Sequence, residues 1–192
     1  MAGLIARVGP IQLRPRRLPP YQALIQAVIH QQLSGQAAGT ILARFRALFR
    51  QDGFPSPEAV LGLSAEQLRG AGLSRSKVSY LLDIARRAAD SRIPSLEECD
   101  RMTDVELVER LTEIKGVGRW TVEMLLIFNL GRPDVLPIHD LGVRKGFQLA
   151  YGKRQLPEPE QLGRFGVRWA PYRTAAAWYL WRAADSLGGG NW

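Results

Sequence analysis

Cysteine is nearly missing from this chain: its 192 residues contain one, Cys99, beside two histidines, His30 and His139. A single thiol excludes an internal disulfide and a four-thiolate iron–sulfur cluster, and these three residues show none of the close spacings of a zinc site. Long apolar runs are lacking too. Nothing approaches the ~18 apolar residues that a spanning helix needs, which argues against an integral membrane protein. Residues 1–20 carry Arg7, Arg14, Arg16 and Arg17 without the apolar centre of a signal peptide, so an intracellular protein is expected. Alternating segments of the strand type are almost absent. Acidic residues are outnumbered, 18 against 26 Lys and Arg, and the formal net charge of +8 points to an anionic partner, nucleic acid or a membrane surface.

What remains reads as helix. After Pro19-Pro20, residues Tyr21, Leu24, Ile25 and Val28 follow the spacing of one buried helical face. Gly35 to Arg50 continues as a second helix with Ile41, Leu42, Phe45 and Leu48 inward. Ser64 with Gln67, and Thr103 with Glu106, fit capping boxes. A long helix is expected over 76–90 with Val78, Leu81, Leu82 and Ala85 inward and Lys77, Arg86 and Arg87 outward. Pro157 and Pro171 stand where helices over 158–168 and 172–187 would start, and Gly188-Gly189-Gly190 reads as a disordered tail. No internal repeat is present. The fold class is therefore all-α, as one compact domain or two small lobes sharing a core.

Residues 104–140 hold the most informative pattern: an amphipathic helix, the turn Ile114-Lys115-Gly116-Val117-Gly118, a very apolar helix, and Leu136-Pro137-Ile138-His139-Asp140. Glycines in such a turn allow φ > 0 and close approach of the main chain, whose N–H groups can hold a phosphate. That grip carries no base information. Asp140 adds a single carboxylate at the start of a helix expected over 141–151, where it could serve as the N-cap. His139 reads as an exposed linker residue.

The run Leu111-Thr112-Glu113-Ile114-Lys115-Gly116-Val117-Gly118-Arg119-Trp120-Thr121, with Asp140 further on, resembles the helix-hairpin-helix, Gly/Pro-rich loop and Asp signature of base-excision DNA glycosylases. Within that superfamily it is most similar to the 3-methyladenine DNA glycosylase II branch. Val28-Ile29-His30-Gln31-Gln32-Leu33-Ser34 resembles a helix-end motif of the same branch, and together the matches span most of residues 20–185.

The resemblance implies two helical lobes with a DNA cleft between them: one over about 35–130, with the helix-hairpin-helix at 104–130, the other from 1–34 plus 131–187, followed by the tail 188–192. The mixed α/β domain that some relatives carry before the Gln-Gln-Leu-Ser motif is not expected here. It implies double-stranded DNA with damaged bases as partner and a monomer as the acting form. DNA contacts fall to Gln32, Leu33, Ser34, Lys115, Gly116, Val117, Gly118 and Arg119, with Leu33 as the wedge that fills the space of an extruded nucleotide. Asp140 becomes the catalytic carboxylate. Trp120, Met124 and Trp181 line the substrate pocket, while Trp178 reads as core.

No cofactor is required. A structural Na⁺ or K⁺ on the backbone carbonyls of Thr112, Ile114 and Val117 is implied, and relatives with an iron–sulfur cluster are poor models for this chain. The activity implied is monofunctional hydrolysis of the N-glycosidic bond of alkylated purines such as 3-methyladenine and 7-methylguanine. Alternatives are a glycosylase of the same superfamily for another damaged or mismatched base, and a non-catalytic helix-hairpin-helix DNA-binding module. Bifunctional relatives carry a lysine where this chain has Trp120, and that amine attacks the sugar to form an imine. Borohydride is therefore expected to trap no protein–DNA adduct and the product strand to remain intact; a trapped adduct with prompt strand cleavage would show that another lysine is the nucleophile.

Overall fold

The computed structural model describes residues 1–49 and 53–187, so the expectations at Arg50 and at the 188–192 tail lie outside the described residues. In chain order the helices are α1 (Ala2–Val8), α2 (Pro20–His30), α3 (Gly35–Ala47), α4 (Pro57–Leu61), α5 (Ala65–Gly70), α6 (Arg75–Ala89), α7 (Leu96–Arg101), α8 (Asp104–Thr112), α9 (Arg119–Met124), α10 (Leu141–Ala150), α11 (Pro159–Gly166) and α12 (Arg173–Leu187). α9 runs into a π-helical turn over Leu125–Leu130, and a 3₁₀ turn over Val167–Trp169 follows α11. No strand occurs among the described residues. None of their helices is long and apolar enough to cross a membrane.

Side-chain caps decide where most of these helices begin. Ser34, Ser56, Ser64, Ser74, Ser95 and Thr103 each accept a hydrogen bond from the N–H three residues on. Such caps are worth about 1 kcal/mol each. Both expected capping boxes form, and a third, Ser95 with Glu98, joins them. α11 starts two residues after Pro157, because Gln161 caps back onto the Glu158 N–H at 3.0 Å, and α12 starts at Arg173.

The chain divides into two compact units, Arg17–Leu125 and Met1–Arg16 with Leu126–Trp192. This division departs from the expected boundaries at 34 and 130: α2 packs on α6 in the middle of the chain instead of joining the C-terminal helices. The cause is local. The Lys77 ammonium on α6 donates to the carbonyls of Ile29 and Gln31, both at 2.7 Å, and ties the end of α2 down. Lys77 is thus half-buried rather than outward, and desolvation holds its pKa below the usual lysine range. Arg87 is also half-buried, against Asp83 and Glu113.

Within the first unit α6 packs against α2, α4 and α5. It buries Val78, Leu81, Ile84 and Ala85, with Ile84 in the place expected for Leu82, which is half-buried. α2 buries Leu24, Ile25, Val28 and Ile29, while Tyr21 is half-buried. α3 commits only Phe45 and Ala38 fully; Ile41, Leu42 and Leu48 are half-buried.

The second unit is organised by α10 lying on α12. Val143 and Phe147 of α10 form a core with Leu162, Ala177 and Leu180. Gly146 makes the packing possible, since a Cβ there would stand 1.8 Å from the Leu180 carbonyl oxygen. The loop before α10 is anchored to the start of α12. Asp134 accepts the Arg173 N–H at 3.1 Å and the Arg173 guanidinium at 2.7 and 2.9 Å, which holds its carboxyl below the usual carboxylate range. Thr174 donates to the Arg132 carbonyl at 2.6 Å and accepts the Val135 N–H at 3.0 Å.

Two glycine substitutions separate space from helix propensity. Gly146→Ala should lower stability by about 2 kcal/mol, because overpacking against backbone outweighs a propensity gain of about 1 kcal/mol. Gly163→Ala on α11, where a Cβ would find its nearest neighbour at 3.7 Å, should raise it by about 0.5–1 kcal/mol. Denaturant melts of the two variants check both signs.

Candidate active site

The hairpin between α8 and α9 is built from inside the first unit. Ile114 and Val117 are buried at 3% exposure each, and the Val117 N–H closes a turn on the Ile114 carbonyl at 3.0 Å. Between them Gly116 takes φ +82°, and a Cβ would stand 2.2 Å from the ring of Tyr80. Both conformation and space therefore demand glycine here. Asp83 accepts the Lys115 N–H at 2.9 Å and the Arg87 guanidinium at 3.1 Å, while Arg87 also donates to the Glu113 carbonyl at 2.9 Å.

These bonds sort the hairpin amides. The N–H groups of Lys115 and Val117 are used internally, whereas those of Gly116 and Gly118 donate to no acceptor among the described residues. Gly118 is the N-cap of α9 with φ −90°, and a Cβ there would meet nothing within 4 Å. Nothing among the described residues requires glycine at 118. Its effect is to leave the backbone bare.

The second helix-end motif lies in the same unit. α2 stops at His30, Gln32 sits at φ +57°, and Leu33 beyond it is 39% exposed. Ser34 spends its hydroxyl as the N-cap of α3, accepting the Ala37 N–H at 3.4 Å. On α9, Trp120 is 47% exposed, an unusual state for so large an apolar surface, and Met124 is half-buried one turn further on. Arg119 pairs at 3.0 Å with Glu123, whose carboxylate is buried.

Asp140 lies in the other unit and is both cap and candidate catalyst. One oxygen, Oδ1, accepts the Val143 N–H at 2.8 Å and the Trp181 indole N–H at 2.9 Å. Two donors of fixed direction orient the carboxylate. Trp181 is held in turn by Phe128, with ring centroids 5.5 Å apart, and by the absence of a side chain at Gly142, where a Cβ would stand 2.9 Å from the indole. His139 is exposed, as a linker residue should be, and Trp178 is half-buried.

Sequence reasoning missed the residues that hold these groups: Gln31, Lys77, Tyr80, Asp83 and Arg87 around the hairpin and turn, and Phe128 and Gly142 around Asp140. A signal existed for the first set. Lys77, Tyr80, Asp83 and Arg87 fall at helical spacing on one side of α6, an unusual polar stripe beside an apolar face. Among the described residues no group of three or more His, Cys, Asp or Glu could hold a metal ion.

With this geometry in view, comparison with known proteins is specific. Residues 25–171 match the family model of the HhH-GPD superfamily base excision DNA repair proteins. A DNA-3-methyladenine glycosylase of Schizosaccharomyces pombe is 44% identical over 165 residues, 86% of this chain and 72% of its own length. The solved structure of an S. pombe 3-methyladenine DNA glycosylase in complex with abasic DNA superposes with a TM-score of 0.84 at 41% identity, covering 96% of this chain and 90% of that one. A DNA-3-methyladenine glycosidase of Bacillus halodurans superposes with a TM-score of 0.88 at 35% identity, covering 98% and 85%. The chain belongs to the HhH-GPD superfamily of base excision DNA repair proteins.

Gly118 offers a clean test of the hairpin. Gly118→Asn keeps a good N-cap and enters open space, so stability should stay within about 0.5 kcal/mol. Affinity for undamaged duplex DNA should fall about tenfold as the side chain covers the bare amides. Unchanged affinity in the folded variant would remove the hairpin from the DNA contact.

Proposed function

We propose that this protein is a monofunctional DNA glycosylase that extrudes alkylated purines such as 3-methyladenine and 7-methylguanine from duplex DNA and hydrolyses their N-glycosidic bond. The observation that carries the reading is the Asp140 carboxylate, fixed by the Val143 amide and the Trp181 indole at the start of α10. As the base leaves, positive charge grows on the sugar; a preorganised carboxylate stabilises it and orients the water that adds to the anomeric carbon. Water supplies the new bond and the base departs with the old one.

Other residues position the substrate. The Gly116 and Gly118 amides hold a backbone phosphate, with Lys115 and Arg119 adding charge, Arg119 while paired to Glu123. Leu33, supported by Gln32 and Ser34, enters the stack vacated by the extruded nucleotide, at an unstacking cost of a few kcal/mol. Trp120 supplies an indole face to a cationic base, worth about 0.5–2 kcal/mol, with Met124 and Trp181 as further pocket walls. That contribution is modest. The charge of the methylated base, which makes it a better leaving group, supplies most of the selectivity.

The C-terminal carbonyls of α8 and the hairpin are neutral oxygen donors, which suits a structural Na⁺ or K⁺ on Thr112, Ile114 and Val117 rather than a transition metal. The Ile114 carbonyl already accepts the Val117 N–H, so such an ion would share it. The protein acts as a monomer in a DNA-containing compartment.

Asp140→Asn tests the assignment, because asparagine is an equally good N-cap and removes only the charge. Binding to duplex DNA should persist while single-turnover release of 3-methyladenine falls at least about 100-fold, roughly 3 kcal/mol of transition-state stabilisation. Duplexes carrying 3-methyladenine, hypoxanthine or 8-oxoguanine, compared side by side with the wild type, test the substrate class. Release of the uncharged bases in preference to 3-methyladenine would overturn it.

A further inference from the structure

We propose that Gln31 and Lys77 are positioning residues that lock the Leu33 turn to the glycine hairpin, so that the two elements facing DNA keep one fixed spacing. This deepens the glycosylase reading and rests on it. The Lys77 ammonium donates to the carbonyls of Ile29 and Gln31 at 2.7 Å each, at the negative end of α2. The side chain of the same Gln31 reaches the other way, its amide donating to the Gly116 carbonyl at 3.1 Å and the Thr121 hydroxyl at 3.3 Å. One residue thus has its main chain held by α6 and its side chain holding the hairpin and the first turn of α9.

Leu33 stands two residues beyond this double anchor, across Gln32 at φ +57°. A left-handed residue other than glycine is strained and persists only where its surroundings hold it. Lys77 supplies that hold from one side and Gln31 from the other. Two short, charge-assisted bonds from a half-buried ammonium commit Lys77 to this turn. Tyr80 and Asp83 on the same stripe of α6 support the hairpin directly, so a single helix side carries both DNA-facing elements. A wedge that must enter the stack at a set distance from a gripped phosphate gains from such a link, because misplacement by an ångström loses the productive geometry.

The test is a double-mutant cycle read by binding. Affinities are measured for a duplex containing a tetrahydrofuran abasic-site analogue and for the same duplex undamaged, using wild type, Lys77→Met, Leu33→Ala and the double variant. Lys77→Met should lower the preference for the abasic duplex about tenfold while affinity for undamaged DNA stays within about twofold; in the Leu33→Ala background it should change the preference by less than about twofold. Gln31→Ala should behave alike, and Lys77→Arg, which can still donate to two carbonyls, should recover most of the preference. Additive losses in the double variant, or equal losses on both duplexes, would overturn the coupling and leave Lys77 a general stabiliser. A wild type that prefers the abasic duplex yet releases no 3-methyladenine would overturn the glycosylase reading while the cycle still decides the coupling.

Discussion

Backbone lying on backbone, where α10 crosses α12 at Gly146, is the contact on which the second unit depends. With no Cβ at 146 the Leu180 carbonyl comes within a distance that any other residue would forbid. Four residues earlier Gly142 does the same for the Trp181 indole, so one bare edge of α10 receives α12 along its length. Asp140 is the N-cap of that helix and Trp181 its second hydrogen-bond donor. The position of the carboxylate is therefore a packing result. Its chemistry follows from where two helices are allowed to meet.

The first unit reaches the same end by hydrogen bonding. Its hairpin is fixed from beneath by the Tyr80 ring and the Asp83 carboxylate, and from the side by Gln31. Several of the basic residues counted in the net charge are already paired, Arg17 with Asp100, Arg87 with Asp83, Arg119 with Glu123 and Arg173 with Asp134. Of these only the Arg17–Asp100 pair is exposed on both sides, and such a pair contributes about 0–1 kcal/mol to stability. The larger effect of these pairs is to localise positive charge, so attraction to DNA rests on fewer free cations than the composition suggests.

How much of this was legible beforehand depended on whether the determinant was local. Helix type, the capping boxes at Ser64 and Thr103 and the all-α class follow from short-range rules, and they form as expected. The turn at Gly116 and the N-cap at Asp140 were legible because glycine and aspartate carry their own backbone preferences at a turn and at a helix start. What was misread is tertiary. Lys77 reads outward by periodicity, yet carbonyls at the end of a distant helix outweigh solvent for its ammonium. Nothing in one sequence shows which helix end a lysine will meet. Gly142 and Gly146 look like ordinary helix weakeners until α12 is in place, and the six-residue π-helical turn after α9 has no periodic signature.

Those two glycines also set how well α10 can stand without its neighbour. α10 has ten residues, fewer than the ~12–15 an isolated helix needs to hold together in water, and each glycine costs it about 0.5–1 kcal/mol against alanine. Such a segment does not nucleate by itself. Its helix leans on the packing against α12, and with it the direction of the Val143 amide toward Asp140. Local opening of α10 away from α12 would release the Val143 and Trp181 donors together, so the carboxylate loses its fixed orientation in any such opened state.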